Sequence, residues 1–191
     1  MKALLVIDMQ AGLFEGNPSR YDADGVIQRI NEIARVVRTT GGIVIFIQHE
    51  DENRLLRGSK GWEILPVLER NDSDILVNKQ ACDSFYETDL ANVLEKQAVT
   101  QLIVTGCATD FCVDTTIRAA ASRNYEVIVV EDGHTTKDRS HLDAVTIIRH
   151  HNWMWENLIL PRSEVKVVPA KEVVSWLQSE QPPERLVEKP Q

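Results

Sequence analysis

Six short apolar runs punctuate the chain: Ala3–Asp8, Ile43–Gln48, Ile75–Asn78, Gln101–Gly106, Glu126–Glu131 and Val165–Val168. They are near-continuous rather than alternating, the pattern of strands covered on both faces of a parallel sheet. Helical spacing fills the intervals. Asp24–Thr39 sets Val26, Ile30, Ile33, Ala34 and Val37 on one face and stops at Gly41-Gly42. Thr88–Gln97 opens on a Ser/Thr-type cap and groups Leu90, Val93 and Leu94. Asp110–Ser122, the stretch from about His141 to Asn157, and Lys171–Gln178 complete the series. Strand–helix alternation of this kind predicts an open α/β sheet with right-handed crossovers and helices on both faces.

Two long irregular stretches, Glu50–Pro66 and Gln80–Glu87, each follow a strand and so fall at the carboxyl edge of the sheet, where open α/β proteins place ligands. A length of 191 residues fits one domain over residues 1–178, followed by a polar, proline-bearing tail over 179–191. The net charge of −8, with no Lys/Arg-rich run, argues against nucleic acid as a partner. Ala3–Ile7 is too short for a signal segment, and no run of 18 apolar residues predicts a membrane span. Three cysteines, an odd number, suggest reduced thiols and a cytoplasmic setting.

Three polar residues sit where apolar strands end or a helix begins. Asp8 closes the first strand, where a half-desolvated carboxylate either pairs with a cation or caps the next loop. Gln10 stands where a phosphotransferase aspartate would want a second carboxylate, and no GxGxxG loop follows for a dinucleotide. Lys79 closes the third strand, either paired or snorkelling to solvent. Cys112 falls in the first turn of a helix starting near Asp110, where the helix dipole is expected to lower a thiol's pKa. Cys107 reads as a small buried hydrophobe, Cys82 stays open, and His134 reads as a hydrogen-bonded loop histidine at the site's edge. Parallel strands bring their carboxyl ends together, so Asp8, Lys79 and Cys112 can share one crevice as proton carrier, cation and nucleophile.

These residues resemble the isochorismatase-like cysteine hydrolase superfamily. The likeness is carried by Val-Ile-Asp-Met-Gln at residues 6–10, by Asn78-Lys79, and by Thr-Gly-Cys-Ala-Thr-Asp-Phe-Cys-Val-Asp-Thr-Thr at residues 105–116. It implies a Rossmann-like three-layer sandwich with a six-stranded parallel sheet in order 3-2-1-4-5-6. It also implies a catalytic triad of Asp8, Lys79 and Cys112, a cis peptide at Cys107–Ala108, and an oxyanion hole from the amides of Ala108 and Cys112. An intact Cys112 favours C–N cleavage of a small amide, ureide or carbamoyl compound through an acyl-enzyme. The alternatives are vinyl-ether hydrolysis of an isochorismate-type acid, a nicotinamidase-like amidase, and a catalytically silent binding or assembly member. Nicotinamidases add a metal built from Asp-x-His and a second His. Here the segment reads Gln48-His49-Glu50-Asp51 with no further His before Lys79, so no metal and no cofactor are expected. The substrate is expected to be a small molecule, walled by Trp62 in a Gly-Ser-x-Gly loop and by Phe14, Phe85 and Phe111. Family likeness and the His150-His151 pair beside Trp153 and Trp155 suggest a homodimer or homotetramer.

Overall fold

The computed structural model describes residues 1–16 and 19–179. All six runs form strands: β1 Lys2–Ile7, β2 Ile43–His49, β3 Ile75–Lys79, β4 Gln101–Cys107, β5 Glu126–Thr135 and β6 Val165–Val168. They pair in parallel, in the order β3-β2-β1-β4-β5-β6. The helices are α1 Ala11–Phe14, α2 Ala23–Thr39, α3 Leu90–Lys96, α4 Asp114–Ser122, α5 Ala144–Glu156 and α6 Ala170–Ser179. The tail expected over 179–191 lies outside the described residues beyond Ser179, which closes α6.

The period-2 geometry of β1 divides its side chains between two cores. Leu4 and Val6 pack with α2 and α6 on one face, through Ile30, Ile33, Val173 and Trp176. Ala3, Leu5 and Ile7 pack on the other with Leu90 and Leu94 of α3, Ile117 of α4 and Trp155 of α5. That makes three layers and explains why the runs do not alternate: both faces are dry. Helix α2 stops where Gly41 turns at φ +80 and the Gly42 amide reaches back to the Val37 carbonyl at 2.8 Å. The long crossover after β2 is pinned to α2. Asn31 exchanges hydrogen bonds with Val67 and Glu69, and Arg38 grips Asp74 through two bonds of 2.7 and 2.9 Å.

Three differences from the sequence reading bear on the site. Asp8 lies just beyond β1, not within it. The fifth strand does not stop at Glu131. Between Val104/Gly106 of β4 and the matching Val129/His134 of β5, three additional residues bulge from β5 (five steps against two), after which pairing resumes as Gly106↔His134 and Cys107↔Thr135. Glu-Asp-Gly reads as a strand end in sequence, yet Gly133 fits the bulge and Asp132 turns away to cap the start of α6 at the Ala170 amide. Cys112 is not in an α-helix. Thr109–Val113 form a single π-helical turn ahead of α4, marked by a Val113 amide to Ala108 carbonyl bond of 3.1 Å.

Candidate active site

The site begins where β1 and β4 end side by side. The Asp8 amide continues the ladder to the Ile47 carbonyl at 2.9 Å, and Asp8 then turns the chain at φ +50. Beside it Gly106 sits at φ +118, where a Cβ would lie 2.2 Å from the Ile7 carbonyl oxygen. Only glycine lets the two strand ends approach this closely. The next residue, Cys107, is fully buried and donates its thiol to the Asp8 carbonyl at 3.1 Å. Burial pushes that thiol up to about 12, so it remains a small buried hydrophobe. The Cys107–Ala108 peptide is cis.

Lys79 is the hub. Its Nζ donates to Asp8 Oδ2 at 2.7 Å and to the Ala81 carbonyl at 3.0 Å. It also lies 3.3 Å from both His49 Nδ1 and Cys112 Sγ. An ammonium can only donate, so His49 presents a bare Nδ1 and carries its proton on Nε2. Burial, then the Lys79 charge, holds the His49 pKa below the ordinary imidazole value, which keeps the ring neutral. For Lys79 itself burial works against the charge, but Asp8 and Cys112 outweigh it and hold the ammonium above its usual pKa. Asp8 is buried with its second oxygen, Oδ1, without a hydrogen-bond partner among the described residues. The pair is thus a buried cation serving four neighbours and a buried carboxylate with one lone-pair face unused.

Cys112, half-buried on the π-turn, does not show the lowered pKa expected from a helix N-terminus. Burial and the Asp8 carboxylate raise it, and Lys79 only partly offsets them. At rest the sulfur is a thiol with the Asp8 carboxylate beside it. Cys82 stands close enough to Cys112 to act on its charge, half-buried in the loop after Lys79.

The aromatic candidates scatter. Phe85 is buried in the core against Tyr125, with ring centroids 6.0 Å apart, which corrects its reading as a substrate wall. Phe14 packs against the α2–α6 core under the Arg20 guanidinium. Phe111, 52% exposed, lies on the π-turn beneath Arg139. Trp62 is half-buried; its carbonyl accepts from Gln10 Nε2 and Gln48 Nε2, both at 2.9 Å, and its Nε1 has no acceptor among the described residues. Gln10 also clasps the His49 backbone through two bonds of 2.8 Å, holding the β2 end and the Trp62 loop together.

His49, Gln10 and Gln48 escaped notice as site residues, although one signal was available. In a 3-2-1 strand order β2 runs between Asp8 and Lys79, so its last residue must stand between them, and His49 is in register with Lys79. His134 was named as a residue at the site's edge. It lies beyond the β5 bulge, buried behind the π-turn, with Nδ1 2.9 Å from Thr109 Oγ1 and Nε2 2.9 Å from Asn152 Oδ1. It is hydrogen-bonded as expected, but from a strand rather than a loop. Among the described residues no three of His, Cys, Asp and Glu gather closely enough to hold a metal ion. No helix there is long and apolar enough to cross a membrane.

The sequence matches the Isochorismatase domain family over residues 2–152. It is similar to a streptothricin hydrolase of Streptomyces noursei, 31% identical over 140 residues that make up 72% of this chain and 56% of that protein. The chain therefore spans little more than half the length of that relative. A ureidoacrylate amidohydrolase of Variovorax paradoxus is 25% identical, with 68% of this chain and 67% of that protein aligned. A solved isochorismatase family protein superposes with a TM-score of 0.80 at 34% identity, covering 86% of this chain and 96% of that one. The chain belongs to the isochorismatase family.

Proposed function

We propose that this member of the isochorismatase family is a thiol-dependent amidohydrolase that cleaves a C–N bond of a small amide, ureide or carbamoyl compound. The observation that carries the reading is the Lys79 ammonium bridging Asp8 Oδ2 and Cys112 Sγ while Asp8 Oδ1 stays unpartnered. A raised thiol pKa fits this chemistry, because the proton leaves only as the sulfur attacks.

In the proposed cycle Asp8 Oδ1 takes the Cys112 proton as Sγ bonds to the substrate carbonyl carbon. The resulting oxyanion is held by the N–H groups of Ala108 and Cys112, each donor worth roughly 10²–10³ in rate in well-studied hydrolases. Asp8 then returns the proton to the leaving nitrogen, the C–N bond breaks, and an acyl thioester remains. A water gives a proton to Asp8 and attacks the thioester carbon. The C–S bond breaks, and the sulfur recovers the proton from Asp8. Throughout, Lys79 keeps a positive charge against whichever of Asp8 and Cys112 is anionic, and neutral His49 accepts one of its hydrogens so that the ammonium stays aimed. The similarity to a ureidoacrylate amidohydrolase is consistent with this assignment.

The test is ammonia release over a panel of amides, ureides and carbamoyl compounds, with Cys112→Ala as the blank. Release by the native protein that vanishes in the variant supports the reading. Release that persists in Cys112→Ala refutes a thiol nucleophile.

A further inference from the structure

Three loops of this acidic protein carry cations to one place. Arg20 comes from the segment before α2, Arg54 from the crossover after β2, and Lys137 and Arg139 from the segment after β5. The sheet fixes that place. Thr135 is the register partner of Cys107. Thr135 Oγ1 donates to the Tyr21 carbonyl at 2.5 Å, and the Tyr21 amide donates to the Thr136 carbonyl at 2.9 Å. Arg20 and Lys137 each adjoin this locked pair of segments, which lies beside the end of β4 at Cys107. Cys107 accordingly feels the charges of Arg20, Asp8, Lys79 and Lys137 together.

The cations are under-compensated. Arg139 is satisfied by a two-pronged bond to Asp110, at 2.8 and 2.9 Å, with Thr136 Oγ1 on the same carboxylate. Arg20 and Arg54 spend donors on the neutral carbonyls of Leu13 and Glu15. Among the described residues Arg20, Arg54 and Lys137 form no ion pair. The adjoining acid, Asp138, is turned to the Ala144 amide at the start of α5. Burial, then Arg20, Arg54 and Arg139, make it harder for Lys137 to keep its proton. Four cations against one carboxylate repel one another, and a chain with a net charge of −8 has no shortage of acids to place there.

We infer that the crevice takes a substrate bearing a carboxylate, a small amide or ureide of an acid, and that Lys137 and Arg20 hold this group while Cys112 meets the scissile carbonyl. The inference deepens the amidohydrolase reading and rests on its thiol. The anion supplies the charge the loops lack and orients the substrate across the π-turn. Arg54 and Arg139 contribute field rather than contact.

The test uses two alkylating reagents of equal size, neutral iodoacetamide and anionic iodoacetate, with alkylation of Cys112 followed by mass spectrometry. Their rate ratio cancels any change in thiolate fraction, so it reads only the pull on the carboxylate. The iodoacetate-to-iodoacetamide ratio at Cys112 is expected to exceed that of free N-acetylcysteine by at least about 10-fold, within the range of charge-focused clefts. Lys137→Gln should bring it back by a similar factor, Lys137→Arg should retain it, and Lys96→Gln, at the far end of α3, should leave it in place. A native ratio equal to that of the free thiol overturns the inference. So does a ratio untouched by Lys137→Gln, or lowered as much by Lys96→Gln. If neither reagent reaches Cys112, the nucleophile reading falls first and the carboxylate site falls with it.

Discussion

Replacing His134 by Gln tests how the π-turn that carries Cys112 is braced. Asn152 uses its Nδ2 on the Glu131 carbonyl at 3.0 Å, so its Oδ1 faces His134 and His134 Nε2 must donate. Nδ1 is then the acceptor for the Thr109 hydroxyl. The brace therefore requires a neutral ring, and burial pushes the His134 pKa down to about 4. In the unfolded chain the ring takes up its proton at about 6.5. Its contribution to stability is whole above that value and is lost as pH falls through the window from about 6.5 to about 4, where the native ring finally protonates. At pH 5 the loss is about 2 kcal/mol relative to pH 7.5, from about 1.4 kcal/mol per unit of separation. Gln keeps a donor for Asn152 but cannot titrate. At pH 7.5 the variant should be less stable by about 1–3 kcal/mol, the cost of a disturbed buried bond at Thr109. At pH 5 that deficit should shrink by about 2 kcal/mol, because only the wild type pays for protonation. Urea denaturation at both pH values measures it, with an unchanged m-value confirming a like-for-like comparison. A deficit that stays constant between pH 7.5 and pH 5 refutes the buried neutral histidine.

Other substitutions probe the strand ends and the proposed triad. Gly106→Ala should destabilise by more than about 3 kcal/mol, since its Cβ would strike the Ile7 carbonyl at a positive φ, and a thermal melt will report it. Asp8→Asn should leave a folded protein with turnover reduced at least about 10³-fold, because the amide cannot carry the proton from Cys112 to the leaving nitrogen; near-native turnover would refute that role. Lys79→Met should lose turnover and also destabilise by about 3–5 kcal/mol, because the buried Asp8 carboxylate then has no cation, which chemical denaturation will show. Cys107 should resist iodoacetamide in the native protein, with a buried thiol pushed up to about 12, and react only after unfolding.

Much of the fold was legible in the chain because its signals are local. A strand buried on both faces must be apolar throughout, so β1, β2, β4 and β6 could be read to within a residue or two. A polar residue ending such a run, as at Asp8 and Lys79, has to be paired, capping or solvated, so those positions stood out as candidates. Phe85 misled for the same reason in reverse: an aromatic in a long polar stretch looks like a pocket wall, yet the Gln80–Glu87 loop folds back and buries it beside Tyr125. The bulge in β5 was hidden because Glu131-Asp132-Gly133 carries every local mark of a strand end. The Asp132 carboxylate is satisfied by Arg29 of α2 and the Ala170 amide of α6, contacts that no neighbouring residue announces.

Sequence by itself determined that this is a parallel α/β sheet, that Asp8, Lys79 and Cys112 end up at its carboxyl edge, and that the fourth strand ends near Gly106. These follow from periodicity, burial cost and backbone sterics, which act within a few residues. Tertiary structure decided that His49 presents a bare nitrogen to Lys79, that His134 props the turn from behind, and that the Cys112 thiol is raised rather than lowered. It also gathered Arg20, Arg54, Lys137 and Arg139 into one cluster from segments up to about 120 residues apart. Those outcomes depend on which chain ends meet across the sheet and how much water is left between them. Electrostatics in a desolvated crevice is set by distances in space, and separation along the chain carries no record of them.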